Sequence, residues 1–100
     1  MLNRVVNHSK PVVSVIIPSL NEEKYLPKLL DSLKKQDYPF FEVIVSDADS
    51  KDDTVKISKN YGAKVVKGGM PAVGRNNGAK VAKGEFLFFL DADVIVADNF

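Results

Sequence analysis

Apolar residues come in short runs, separated by stretches with two different polar patterns. Val12 to Ile17 is a β-branched run broken by one serine and closed by Pro18. A run without strict alternation predicts a strand covered on both faces. Leu26, Leu29, Leu30 and Leu33 then recur at i, i+3, i+4 and i+7, the stripe of one helical face. Asn21 is placed to cap this helix, with Glu22 and Glu23 in its first turn, where acids suit the helix dipole. Pro27 falls early enough in the helix to be tolerated. Gln36 to Pro39 closes the unit. Phe41 to Val45 predicts a second buried strand, ending in Ser46-Asp47-Ala48-Asp49-Ser50. Asp52 or Asp53 can cap a short helix from Thr54 to Tyr61, stopped by Gly62. Ala63 to Val66 is a third, weaker strand, followed by Gly68-Gly69. A helix from Pro71 or Ala72 to Lys83 is stopped by Gly84. Phe86 to Leu90 predicts a fourth buried strand that runs into Asp91-Ala92-Asp93, and Val94 to Ala97 reads as a short strand extension or an extended loop.

The order βαβαβαβ implies an α/β fold: three α/β/α layers around a mainly parallel sheet, with right-handed crossovers. Ligands of such sheets bind beyond the carboxyl ends of the strands, near a switch in strand order. Strand one is therefore expected between strands two and four. Pro18-Ser19, Asp47, Gly68-Gly69 and Asp91-Ala92-Asp93 each fall at the carboxyl end of a predicted strand. They should meet on one sheet edge although they are far apart in sequence.

Composition narrows the chemistry. The 100 residues make one domain at most, with 45% apolar and 27% charged residues, which excludes disorder and collagen. A formal net charge of +1 argues against a nucleic-acid partner. There is no cysteine, so disulfides and thiolate sites are excluded. The one histidine, His8, lies in a polar tail over residues 1–11 and cannot build a His-rich zinc site. Apolar runs such as Phe86 to Leu90 fall far short of the ~18 residues of a membrane span. The start lacks the apolar centre of a signal peptide. A cytoplasmic location is expected, at most at the inner face of the membrane. Charge is unevenly placed: Thr54 to Gly84 carries seven basic residues and no acid, between two acidic segments. That is either a solvated lysine face or a cationic rim for an anionic ligand.

Asp91-Ala92-Asp93 can turn two carboxylates toward one point as the strand unwinds. Such hard oxygen ligands suit Mg²⁺ or Mn²⁺ held jointly with substrate phosphates; the plain alternative is a turn after a strand. Asp47-Ala48-Asp49 repeats the tripeptide but is no EF-hand, because Asp52 sits where glycine is required. Asp47, nearest the strand end, could accept from a base or ribose, whereas Asp52 and Asp53 shape a turn and cap a helix. Gly69 to Asn76 has P-loop spacing but carries Arg75 and Asn76 for Lys and Ser/Thr. Arg75 can still pair with phosphate or stack on a base. No Gly-x-Gly-x-x-Gly is present, which argues against a nicotinamide dehydrogenase.

Val13-Ser14-Val15-Ile16-Ile17-Pro18-Ser19-Leu20-Asn21-Glu22-Glu23 resembles the opening of the family-2 glycosyltransferases of GT-A fold. Glu42 to Thr54 resembles their second-strand motif, V-D-D-G-S-T-D-G-T. Gly74-Arg75-Asn76-Asn77-Gly78-Ala79, Ala82-Lys83-Gly84-Glu85 and Phe89-Leu90-Asp91-Ala92-Asp93 resemble their A-R-N-x-G, A-x-G-E and F-L-D-A-D segments. The resemblance covers residues 12–100 and implies a Rossmann-like GT-A half that binds a nucleotide-diphospho-sugar, truncated after the D-x-D motif. Within it, Pro18, Ser19 and Glu22 would border the nucleotide, Asp47 would receive the base and Arg75 would lie beside the donor pocket. Asp91 would face the ribose or the metal, and Asp93 would ligate a divalent Mn²⁺ or Mg²⁺. Two departures stand out: Ala48 replaces a frequent second Asp, and Asp49 replaces a frequent Gly.

The implied reaction is inverting transfer of the sugar to an acceptor hydroxyl on a lipid phosphate, a polysaccharide or a protein glycan. The acceptor half and catalytic base are expected beyond Phe100. The 100-residue chain alone is therefore expected to be inactive and to self-associate through an exposed face. The competing readings are a nucleotidyltransferase, whose Gly-rich basic first loop is missing here, and a non-catalytic nucleotide-binding module.

Overall fold

A computed structural model describes residues 11–36 and 39–93. Val94 to Ala97 and His8 lie outside the described residues. The elements are β1 (Val13–Ser19), α1 (Leu26–Lys34), β2 (Phe41–Asp47), α2 (Thr54–Asn60), β3 (Lys64–Lys67), α3 (Pro71–Val81) and β4 (Phe86–Phe89). They build one parallel sheet in the order β3-β2-β1-β4. Strand one is central between strands two and four, as the alternating pattern predicts. Among the described residues no helix is long and apolar enough to cross a membrane.

Side chains alternate across the pleat, so the two faces of β1 meet different helices. Val15 and Ile17 join Leu26, Leu29, Leu30 and Leu33 of α1, with Val45 of β2, in the main core. The opposite face is packed more closely by α3, whose buried positions are Gly74 and Gly78. A Cβ on Gly78 would stand 2.5 Å from Ile16 Cγ2 and 3.0 Å from Ser46 Oγ. Only a glycine lets the helix backbone approach the sheet this closely, which makes up for its poor helix propensity.

Two expectations need correction, and a third is narrowed to one of its alternatives. Asn21 does not cap α1: it adopts a left-handed conformation with φ 53°, and Tyr25 holds the N-cap position. The backbone N–H groups expected in the first helical turn are satisfied by the next loop instead. Asn21 N donates to Ser50 Oγ at 2.8 Å, Glu22 N to Thr54 Oγ1 at 2.8 Å, and Glu23 N to Asp52 Oδ2 at 3.2 Å. At α2, Asp53 occupies the N-cap position without a side-chain bond; Asp52 Oδ1 accepts from Thr54 N at 2.9 Å. The capping role therefore falls to Asp52. Finally, β4 is not a buried strand. Phe86, Leu87 and Phe89 are 58, 38 and 45% exposed, because β4 is an edge that pairs only with β1 among the described strands.

Candidate functional site

The register brings the carboxyl ends together. Ser19 pairs opposite Asp47, so β1 and β2 finish level. On the other side Leu90 N donates to the carbonyl of Ile16 at 3.0 Å, which aims the chain after β4 past the end of β1. A cleft of roughly 730 Å³ opens there. It is lined by Pro18 and Ser19 at the end of β1 and by Leu20 and Glu22 from the loop that follows. One wall is Gly69, Met70, Pro71 and Arg75 at the start of α3, and the other is Asp91, Ala92 and Asp93. Ala48 completes the lining after β2. Residues from all four strand ends thus share one crevice.

Six of the seven candidate residues line this cleft: Pro18, Ser19, Glu22, Arg75, Asp91 and Asp93. Asp47 does not; it is 7% exposed and faces inward. Its Oδ1 accepts from Ser50 Oγ at 2.6 Å and Ser19 Oγ at 3.2 Å, and its Oδ2 accepts from Ser50 N at 2.9 Å. The backbone on either side is also anchored. Gly68 N donates to the Asp47 carbonyl at 2.7 Å, and Ala48 N donates to the Ser19 carbonyl at 2.9 Å. The loop's reversal is completed by Asp49, at φ 59°.

A reciprocal set of bonds ties this loop to the one after β1. Lys51 N donates to Asn21 Oδ1 at 2.7 Å, and Asp53 N donates to Glu23 Oε1 at 3.0 Å. These partners were missed in the sequence, where Asn21 and Glu23 carry an ordinary helix-start pattern. The available signal was the density of Asn, Asp, Ser and Thr in both loops, since such side chains readily bond to backbone.

Electrostatics single out Glu22. Burial in the cleft pushes its carboxyl above the ordinary value, and the negative charges of Asp93, Asp52 and Asp91 add to the effect. Asp52 moves the other way. Desolvation opposes the shift, but hydrogen bonds from the Thr54 hydroxyl and the Thr54 and Glu23 backbone hold it below its usual range. Among the described residues no hydrogen bond engages the carboxylates of Asp91 or Asp93, and both residues are exposed. No group of three or more His, Cys, Asp or Glu among them could cage a metal. Two open carboxylates in a cleft instead fit a hard divalent cation that takes its remaining oxygens from a bound phosphate.

A parallel sheet of this topology, with its cleft at the carboxyl ends of the strands, defines an α/β fold of the GT-A kind. The family model for glycosyl transferase family 2 matches residues 14–100, and the chain belongs to that family. It is 43% identical over 90 residues to the poly(ribitol-phosphate) beta-N-acetylglucosaminyltransferase TarS of Staphylococcus aureus, covering 80% of this chain and 16% of that protein. The structure of S. aureus TarS 1-349 in complex with UDP superposes with a TM-score of 0.81 at 40% identity, over 87% of this chain and 29% of that one. Glucosyl-3-phosphoglycerate synthase from Mycobacterium tuberculosis, solved with Mn²⁺, UDP and glucosyl-3-phosphoglycerate, matches with a TM-score of 0.71 at 28% identity, over 87% of this chain and 35% of that one. The chain therefore spans about a sixth to a third of these relatives' lengths. The family assignment supersedes the nucleotidyltransferase reading.

Proposed function

We propose that this chain supplies the donor side of a metal-dependent, inverting glycosyltransferase that takes its sugar from a nucleotide-diphospho-sugar. The observation that carries this is the single cleft shared by all four strand ends, with Arg75 on one wall and Asp91 and Asp93 on the other. Pro18 and Ser19 border the nucleoside, and Arg75 pairs with the diphosphate. Asp93, with Asp91 beside it, would hold Mn²⁺ or Mg²⁺. When bound, the cation supplies charge stabilisation for the departing diphosphate. Similar proteins solved with UDP, and in one case Mn²⁺, support the donor class.

In the whole enzyme the acceptor hydroxyl oxygen attacks the anomeric carbon on the face opposite the diphosphate. The carbon–oxygen bond to phosphate breaks, and the hydroxyl proton passes to a general base supplied outside the residues assigned here. The acceptor is a hydroxyl of a lipid phosphate, a polysaccharide or a protein glycan. Calorimetric titration with UDP-, GDP- and dTDP-sugars, with and without Mn²⁺, tests the proposal. Metal and nucleotide should each tighten binding of the other, by the reciprocity of linked equilibria. Asp93→Asn should remove most of that coupling, while Asp53→Asn should leave it intact. Equal coupling in wild type and Asp93→Asn would reduce Asp91-Ala92-Asp93 to a simple turn.

A further inference from the structure

We propose that the β3 edge of the sheet is a docking surface for a polyanionic acceptor chain, a polymer with an anionic group in each repeat. The proposal rests on the glycosyltransferase reading above and narrows its acceptor by charge. The stretch from Thr54 to Gly84 carries seven basic residues and no acid. Arg75 lines the cleft and Lys83 precedes β4. The other five gather at one edge. Lys64 and Lys67 open and close β3, the outer strand beside β2. Lys56 and Lys59 lie on α2 and Lys80 on α3, and both helices pack against β3. All five are exposed. Among the described residues the one ion pair joins Lys35 to Asp31, so none of the five is paired with a carboxylate. Glu42, which shares a surface hollow with Lys64, is taken up by the Ser14 hydroxyl and the Lys83 N–H. Protection of a sheet edge accounts for lysines on β3 but not for three more on the flanking helices.

The arrangement favours a chain over a plane. Ile57 of α2 packs against the main core on the α1 face of the sheet, whereas α3 covers the opposite face, where Gly78 meets Ile16. Side chains alternate along a strand, so Lys64 and Lys67, three positions apart, leave β3 on opposite faces. The positive charge therefore wraps round an edge. A flat anionic membrane meets one side of such an edge at a time, whereas a flexible polyanion can follow it and release counterions from both sides. The edge also leads to the cleft. Asn77 Nδ2 donates to the Lys67 carbonyl at 2.8 Å, and Gly69, two residues on, lines the cleft. A polymer lying along β3 is thus guided to the cleft wall that Gly69 and Met70 form.

The test is titration of the purified protein with dextran sulfate and with uncharged dextran, for wild type, Lys64→Ala/Lys67→Ala and a control, Lys24→Ala/Lys28→Ala. The control removes the same charge from exposed positions away from β3. Wild type should bind dextran sulfate and not dextran. The β3 variant should lose about tenfold in affinity and roughly one unit of salt-dependence slope per lysine, while the control stays within about twofold of wild type. Equal losses in the two variants would mean diffuse attraction and overturn the proposal. Tighter retention on phosphatidylglycerol vesicles than on dextran sulfate overturns it in favour of a lipid surface. If the β3 variant does not fold, Lys56→Ala/Lys59→Ala on α2 makes the same test. Titration with UDP and Mn²⁺ reads the cleft separately. A protein that takes dextran sulfate at the edge but no UDP overturns the donor reading, whereas one that takes UDP but prefers neither dextran overturns the docking surface.

Discussion

The two halves of the cleft are built on opposite principles. The loops after β1 and β2 are bonded to each other by side chain and backbone in both directions, from Asn21 and Glu23 on one side to Ser50, Lys51, Asp52 and Asp53 on the other. There the carboxylates of Glu23, Asp47 and Asp52 all accept hydrogen bonds from the protein. Across the cleft, Asp91 and Asp93 follow an exposed edge strand and keep their oxygens open. Carboxylates that hold a loop have few acceptor positions left for a ligand, whereas those of Asp91 and Asp93 are engaged by no hydrogen bond among the described residues. Composition alone does not separate these classes, since Asp47-Ala48-Asp49 and Asp91-Ala92-Asp93 are the same tripeptide.

The largest expected effect comes from breaking the bonded side. Asp47→Ala leaves the Ser50 N–H and the Ser19 hydroxyl without their acceptor in a buried place. Chemical denaturation should show a loss of about 2–3 kcal/mol. Next is the close approach of α3. In Gly78→Ala the new methyl meets Ile16, and overpacking outweighs the gain in helix propensity, for a net loss of about 1–2 kcal/mol.

A smaller effect, with a characteristic pH dependence, is expected for Asp52. Its carboxyl is held below the ordinary value in the fold, so its stabilisation is present above the unfolded-state value of 3.8 and is lost as pH falls through the folded-state value. Wild type and Asp52→Asn should differ in melting temperature at neutral pH and converge on acidification. A difference that persists at pH 2 would mean that Asp52 acts through packing.

The smallest effect belongs to the open side. Asp93→Asn should change unfolding free energy by less than about 0.5 kcal/mol while removing the metal coupling, because nothing in the fold leans on that side chain. A loss comparable to that of Asp47→Ala would erase the contrast between the two halves. Ser46→Ala is an internal control. Its buried hydroxyl has no partner among the described residues, so removing it should be neutral or slightly stabilising.

Much of this was legible from the chain as text. The alternation of β-branched runs with a leucine stripe specifies strands and helices, because burial on both faces and burial on one face leave different periodicities. The strand-end argument brought Pro18, Ser19, Asp91 and Asp93 to one cleft, and the family resemblance added Glu22 and Arg75. What misled was local chemistry with more than one use. Asn21 followed by two glutamates is a fair helix start, yet its partners arrive from about 30 residues away. Phe86 to Phe89 has the composition of a buried strand, but burial requires a covering layer, which no strand's own residues reveal.

The sequence by itself determined the element order, the parallel sheet and the sheet edge at which the cleft opens. These follow from hydrophobic periodicity and from the handedness of crossovers, which are properties of neighbouring residues and of chain geometry. Only the tertiary structure decided which acids are open and which are engaged. That depends on the register of Ser19 against Asp47, which adds a donor from the neighbouring strand to those that Ser50 supplies from three residues further along the chain. A carboxylate's role is set by the N–H and O–H groups that reach it first, and for Asp47 two of these come from Ser50 and one from Ser19 on the neighbouring strand.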